Sequence, residues 1–295
     1  MTSNNVNLSR REALASIGLL ALSCKTGLAA EPAAPTAGSL RRGIALQMYT
    51  MREPAKKDLA GTLQKVRAMR WEYVQWSGMP NLPAEQIRQL LDAAGLKAIA
   101  AHLSVEAFEK DFDGSVRFWK TVGAKDVAPG GMMKDCKATL ADWLKGAQRL
   151  DAVGAKLRAV GMRLSYHNHS FEFEQFPGDP RRKIDILLDA TRPENLKAEL
   201  DTAWAFHAGA DPAAFLRQYK GRCPVIHAKD ILAAKGDKKK AQLKPLGQGD
   251  LDWKGIFAAA RQAGVEWYVY EQDSGEGSPF DYARASYEFL AKNVL

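Results

Sequence analysis

From Arg42 to the last residue, runs of β-forming side chains alternate with helical stretches, and this alternation constrains the fold more than any other feature of the 295 residues. Candidate strands begin near Gly43, Trp71, Leu96, Ala124, Met162, Leu196, Cys223 and Val265. Between them lie segments with apolar residues spaced three and four apart. Leu59, Leu63 and Val66 follow Asp58 as an N-cap, and Ile87, Leu90 and Leu91 lie between Pro83 and Gly95. Further helices run through Leu140, Leu144, Ala147 and Leu150 and through Ile256, Phe257 and Ala260, and a last one spans about Phe280 to Asn293. Crossovers of this length join parallel strands.

Eight such units in about 250 residues is the count that closes a (β/α)8 barrel, so the expectation is an α/β chain whose residues 42–295 form a single barrel domain. An open doubly wound sheet is the competing architecture. If it bound a dinucleotide it would carry a Gly-rich phosphate turn after its first strand, and no G-x-G-x-x-G stands there. With 46% hydrophobic and 26% charged residues the chain has a core to bury, which excludes disorder. A formal charge of +8 is too small for a nucleic-acid-binding tail.

Residues 1–30 read as an export signal. Ser9-Arg10-Arg11 precedes an apolar stretch from Ala13 to Cys24, and Gly27-Leu28-Ala29-Ala30 suits a signal peptidase. The Ser-Arg-Arg-Glu-Ala-Leu start is twin-arginine-like. The apolar stretch falls short of the roughly 20 residues a membrane span needs, so the expectation is cleavage and a periplasmic protein without stable membrane insertion. Residues 31–41 then form a Pro/Ala linker. Beyond the signal only Cys136 and Cys223 remain, too few for a disulfide scaffold, and each reads as a small buried apolar residue.

A barrel places its chemistry at the C-terminal ends of the strands. Tyr166-His167-Asn168-His169 ends the fifth strand, Asp201 the sixth, His227 lies late in the seventh and Glu271 closes the eighth. A solitary strand-end Asp caps a helix and a solitary buried His hydrogen-bonds in a core. Four such residues on neighbouring strands point instead to a divalent metal held by His167 or His169 with Asp201, His227 and Glu271, the ion being Mn, Co, Zn, Mg or Fe. Gln47, Tyr49, Gln75, His102 and Lys229 share the predicted rim as candidate substrate contacts, and Trp204, His207 and Trp253 are candidates for an apolar wall. Lys238-Lys239-Lys240 reads as a solvated charge run. In Pro245-Leu246-Gly247-Gln248-Gly249-Asp250, closely spaced glycines let backbone approach a ligand, with Gln248 as a contact.

Several of these segments carry a family resemblance. Gln47-Met48-Tyr49-Thr50 with Arg52, Tyr166-His167-Asn168-His169 with Glu172, and Glu199-Leu200-Asp201-Thr202-Ala203-Trp204 are followed by His227-Ala228-Lys229-Asp230, by Pro245-Leu246-Gly247-Gln248-Gly249 with Asp252-Trp253, and by Tyr270-Glu271. In this order they resemble the xylose isomerase-like TIM barrels known as sugar phosphate isomerases and epimerases. The resemblance implies a divalent metal held by Glu, Asp, His and Glu from strands five to eight, the two Glu serving as acid and base. Asp201, His227 and Glu271 match; the strand-five position is His167, or His169 in a shifted register, and Glu172 resembles a further Glu that contacts the sugar. The implied activity is sugar isomerisation or epimerisation of a keto or aldo sugar through an enediolate, with Glu271 as base and His167 or His169 returning the proton. A lyase or hydratase on 3-keto sugars or glycosides uses the same intermediate. An exported sugar-binding barrel without turnover is the non-enzymatic alternative, and a DNA-repair nuclease is disfavoured by the five histidines.

Overall fold

The computed structural model describes residues 43–77, 80–233 and 241–295. The export segment 1–30, the linker 31–41 and the Lys238-Lys239-Lys240 run lie outside the described residues. Eight parallel strands close into a barrel: Gly43–Gln47, Tyr73–Trp76, Lys97–His102, Asp126–Ala128, Arg163–His167, Leu196–Asp201, Val225–Ala228 and Trp267–Tyr270, numbered one to eight below. Each pairs with its neighbours in chain order, and strand one closes the ring by pairing with strand eight. This is the expected (β/α)8 architecture, with every strand starting within three residues of its anticipated position.

Strand alternation sorts the sequence into two layers. Leu164, Tyr166, Ala198, Leu200, Ile226, Ala228, Tyr268 and Tyr270 belong to the large apolar cluster shared with the helices. The intervening residues face the barrel interior, where Ala45, Val225 and Val269 form a separate small apolar cluster. The same alternation carries Arg163, Ser165 and His167 inward on strand five, Lys197, Glu199 and Asp201 on strand six, and Val225, His227 and Lys229 on and just past strand seven. The middle of the barrel is therefore apolar and its upper layers are ionisable.

Helices return each strand to the bottom of the barrel, and their ends follow from local chemistry. Asp58 accepts from the Gly61 amide at the start of Leu59–Ala68, as its position in the sequence predicts. Gly95 ends Ala84–Ala94 at φ 70°, a left-handed turn that favours glycine. Two short antiparallel strands, Asp230–Leu232 and Gln242–Lys244, sit above strand seven and were not expected, being only three residues each. Cys136 and Cys223 are buried free thiols. Among the described residues no helix is long and apolar enough to cross a membrane.

Candidate active site at the C-terminal mouth

Strand register assembles the site in two tiers. His167 is level with Glu199, and one tier higher Asp201 is level with His227. In the lower tier Glu199 is the focus. Its Oε2 accepts from Gln75 Nε2 at 2.9 Å, while its Oε1 faces His102 Nε2 at 2.5 Å, His227 Nε2 at 2.9 Å and His167 Nδ1 at 3.3 Å. Gln47 Nε2 in turn donates to Gln75 Oε1 at 2.9 Å, so a chain of buried amides orients the carboxylate.

The upper tier is built around an ammonium. Lys229 Nζ lies 3.0 Å from Asp201 Oδ2, 2.8 Å from Glu271 Oε2 and 3.0 Å from Asp273 Oδ2, with its side chain 2% exposed. Burial opposes its charge, but Asp201, Glu271 and Asp273 outweigh burial and hold it protonated above the usual lysine range. Burial likewise pushes the Glu271 carboxyl up, yet Lys229 and His227 prevail and keep it ionised well below the usual carboxylate range. His227 bridges the tiers, its Nδ1 2.9 Å from Glu271 Oε2. Burial would lower its pKa, but Glu199 and Glu271 raise it to about 10. For His167 burial and the neighbouring His227 win, and its ring is held neutral.

Two overlapping groups of side chains can hold a metal ion: His167, Asp201, His227 and Glu271, and His102, His167, Glu199 and His227. In each, the donor atoms lie within 4.8 Å of one another. The chemistry fits a cation. His167 Nδ1 is buried with no hydrogen-bond partner, and His167 belongs to both groups.

The sequence-derived candidates divide as follows. His167, Asp201, His227 and Glu271 converge as anticipated, and His102, Gln47 and Lys229 line the same space. His169 lies beside His167 with ring centroids 5.1 Å apart; its Nδ1 has no partner, and burial lowers its pKa. Trp204 stands under the Lys229 ammonium at 5.5 Å, and His207 packs edge-on against it. Tyr49 is partly exposed beneath Arg52. Glu172 does not join them: it is fully buried, accepting from Tyr166 Oη at 2.9 Å and from the His169 amide at 2.8 Å, and so fixes the backbone that carries His169.

The glycine loop also departs from expectation. The amides of Gly247 and Gly249 donate to Asp230 Oδ2 at 2.8 and 3.1 Å, and Trp253 Nε1 donates to the same oxygen at 2.8 Å. The close approach that the glycines permit is to this carboxylate: a Cβ on Gly249 would lie 2.3 Å from Asp230 Oδ1. Gln248 is exposed on that loop, and Trp253 packs against Phe257 and Phe289 instead of walling the mouth. Sequence reasoning missed Glu199 as a site residue. The period of two, counted back from Asp201, is the signal that finds it.

Beside His169 a cavity of about 560 Å³ opens between the loops after strands three and four, lined among others by Leu103, Met132, Met133, Lys134 and Phe171.

A profile described as xylose isomerase-like TIM barrel matches residues 63–293. An inosose dehydratase of Lacticaseibacillus casei is 27% identical over 164 residues, which are 50% of this chain and 54% of the relative. The chain thus spans about half the length of the curated relatives it matches. Among solved structures, a sugar phosphate isomerase/epimerase from Parabacteroides distasonis superposes with a TM-score of 0.71 at 18% identity, over 87% of this chain and 96% of that one. An L-ribulose 3-epimerase does so at 0.65 and 16% identity, over 86% and 94%. These likenesses show the fold.

Proposed function

Because the chain belongs to the xylose isomerase-like TIM barrel family, we propose that it is a lyase that removes the proton beside the carbonyl of a keto sugar or keto cyclitol and expels the hydroxyl one carbon further on. The observation that carries this reading is the 2.8 Å contact between Lys229 Nζ and Glu271 Oε2, a base and an acid side by side. Glu271, kept ionised by Lys229 and His227, takes the α proton, and the electron pair of the broken C–H bond moves onto the carbonyl oxygen. As the pair returns, the β C–O bond breaks, Lys229 gives a proton to the departing hydroxyl, and water leaves. Glu271 then passes its proton to the neutral amine, which restores both groups. A divalent ion, Mn, Co, Zn, Mg or Fe, bound through His167 and His227 would supply Lewis acidity toward the carbonyl oxygen.

The two-Glu shuttle that the family resemblance implies for an epimerase is not assembled here. Strand five offers His167, and Glu172 is engaged with Tyr166 and the His169 amide. That relatives of the chain are inosose dehydratases supports elimination as well. His169 is the specific support for isomerisation or epimerisation as the second reading, since its unpartnered Nδ1 stands near the mouth.

The test is proton exchange. Incubating the metal-supplemented protein with inosose and with keto-hexoses in deuterated water is expected to place deuterium on the α carbon of unconverted substrate and to yield the dehydrated enol, which ketonises to a 1,2-dione, and Glu271→Gln is expected to lower both by at least about 10³-fold with folding intact. Label with an epimeric or isomeric product selects the second reading. Unlabelled substrates throughout would refute both. We also read residues 1–30 as an export signal, so chain recovered from the periplasm is expected to begin near Glu31; an intact Met1 there would refute cleavage.

A further inference from the structure

We propose that the cavity of about 560 Å³ beside His169 is a second subsite, which takes an aromatic acid joined through an oxygen to the far side of the substrate ring. The proposal rests on the lyase reading above and adds what the substrate carries.

The loops after strands three and four build this cavity. The Leu103 amide donates to the Ala128 carbonyl at 3.0 Å and the His167 amide to the Pro129 carbonyl at 3.2 Å, so the walls are tied to strands three, four and five. Gly130 and Gly131 keep the space between them open: a Cβ on either would meet no atom within 4 Å. Gly131 has a φ of 128°, which favours glycine. Met132 lies back against the long helix Leu140–Ala159, where a Cβ on Gly146 would come 2.4 Å from its sulfur. Glycines on two sides therefore set the width. Pockets of about 300 to 1,000 Å³ take drug-sized molecules, so the cavity holds far more than the remaining hydroxyls of one sugar ring.

The lining states the chemistry of the occupant. Leu103, Val105, Met132, Met133 and Phe171 give apolar walls, and thioethers pack well against aromatic rings. Lys134 and Lys137 stand at the exposed edge and, among the described residues, neither forms an ion pair. The one carboxylate of the lining, Glu106, accepts from Ser104 Oγ on the opposite, strand-three side. Apolar walls edged by two unpaired ammonium groups match a flat apolar group that ends in a carboxylate. A bare sugar offers neither part.

Continuity with the catalytic groups fixes where the acid is attached. His169 lines the cavity; its ring is 6.3 Å from that of Trp204, and Lys229 Nζ is 5.5 Å from the Trp204 ring. A six-membered ring with its leaving hydroxyl at Lys229 extends over Trp204 and brings its far carbon toward His169. The aromatic acid is thus carried on a carbon that does not react, and it stays in the product.

The experiment uses the whole chain. In calorimetric titrations 4-methoxybenzoate is expected to bind, and acetate and anisole to bind at least about tenfold more weakly. Joint Lys134→Glu and Lys137→Glu substitution is expected to weaken the aromatic acid by at least about fivefold, and added salt to weaken it in the parent chain. Gly130→Leu, which fills open space, is expected to cost at least about fivefold as well, and Glu271→Gln to cost nothing. Inosose bearing a 4-carboxybenzyl ether on the carbon opposite its carbonyl is expected to exceed plain inosose in kcat/KM by at least about tenfold, through KM. The double lysine variant is expected to erase that advantage and to turn over plain inosose as before. No binding of 4-methoxybenzoate, binding that survives the charge reversal or Gly130→Leu, acetate binding equally well, or an ether no better than inosose each overturns the subsite and leaves the lyase reading standing. Binding that is lost in these variants, in a chain that neither exchanges nor dehydrates any keto sugar, supports the subsite and overturns the lyase reading.

Discussion

At the N-terminal mouth of the barrel Arg163 spends its guanidinium on Asp126 and Glu266, making four hydrogen bonds with the two carboxylates. At the C-terminal mouth Lys229 faces three carboxylates, and His167 Nδ1 and His169 Nδ1 have no hydrogen-bond partner. Both clusters rest on the same alternation of inward residues, and strand five contributes to both, through Arg163 below and His167 above. The difference lies in whether charge and hydrogen bonding are matched. A matched cluster is closed to further chemistry, and an unmatched one has atoms to offer a ligand. Cavity size does not tell the ends apart. The space at the N-terminal mouth is about 610 Å³, larger than the one beside His169, yet the acidic groups that line it are both held by Arg163.

The sharpest way to break this contrast is to remove the central cation at each end. Lys229→Met is expected to lower exchange and elimination by about 10²- to 10⁴-fold, the range of a lost general acid. Arg163→Met is expected to cost about 3 kcal/mol of stability in denaturant titrations, because Asp126 is left buried without its partner, and to change turnover less than about twofold. Exchanged outcomes, with Arg163→Met inactive and Lys229→Met merely unstable, would collapse the distinction between the ends.

A smaller effect sharpens it. Burial raises the Glu172 carboxyl from its ordinary 4.5 to about 7 against the hydrogen bonds from Tyr166 and His169. The folded state thus keeps a proton that the unfolded chain has lost, so this contribution is full below about pH 4.5 and disappears as pH rises through about 7. Comparing Glu172→Gln with the parent chain across pH 4 to 8 is expected to show a flatter stability curve for the variant. Parallel curves would mean that Glu172 does not titrate there.

Much of this was legible in the sequence, for identifiable reasons. The barrel followed from short apolar runs alternating with helices, because burial on both faces of parallel strands leaves that pattern. Asp201, His227 and Glu271 were legible because each sits at or next to a strand end, where the fold places chemistry. Glu199 escaped because it lies two residues before a strand end, and only the register with His167 shows how deep the ionisable layer runs. The glycine loop was misread because the partner of its amides, Asp230, is distant in sequence. Glu172 resembled a sugar contact, and its burial behind Tyr166 is a tertiary fact that no local pattern encodes.

Lys229 and Asp230 are consecutive, yet the lysine meets three carboxylates inside the barrel while the aspartate reaches outward to the loop of Gly247, Gly249 and Trp253. A single peptide unit thus gears a surface loop to the ammonium. Inserting or deleting a residue between Pro245 and Trp253 would pull on that gear at one tooth and turn the proton donor at the next, so the length of this loop is under mechanical constraint although the amides of Gly247 and Gly249 are held by Asp230.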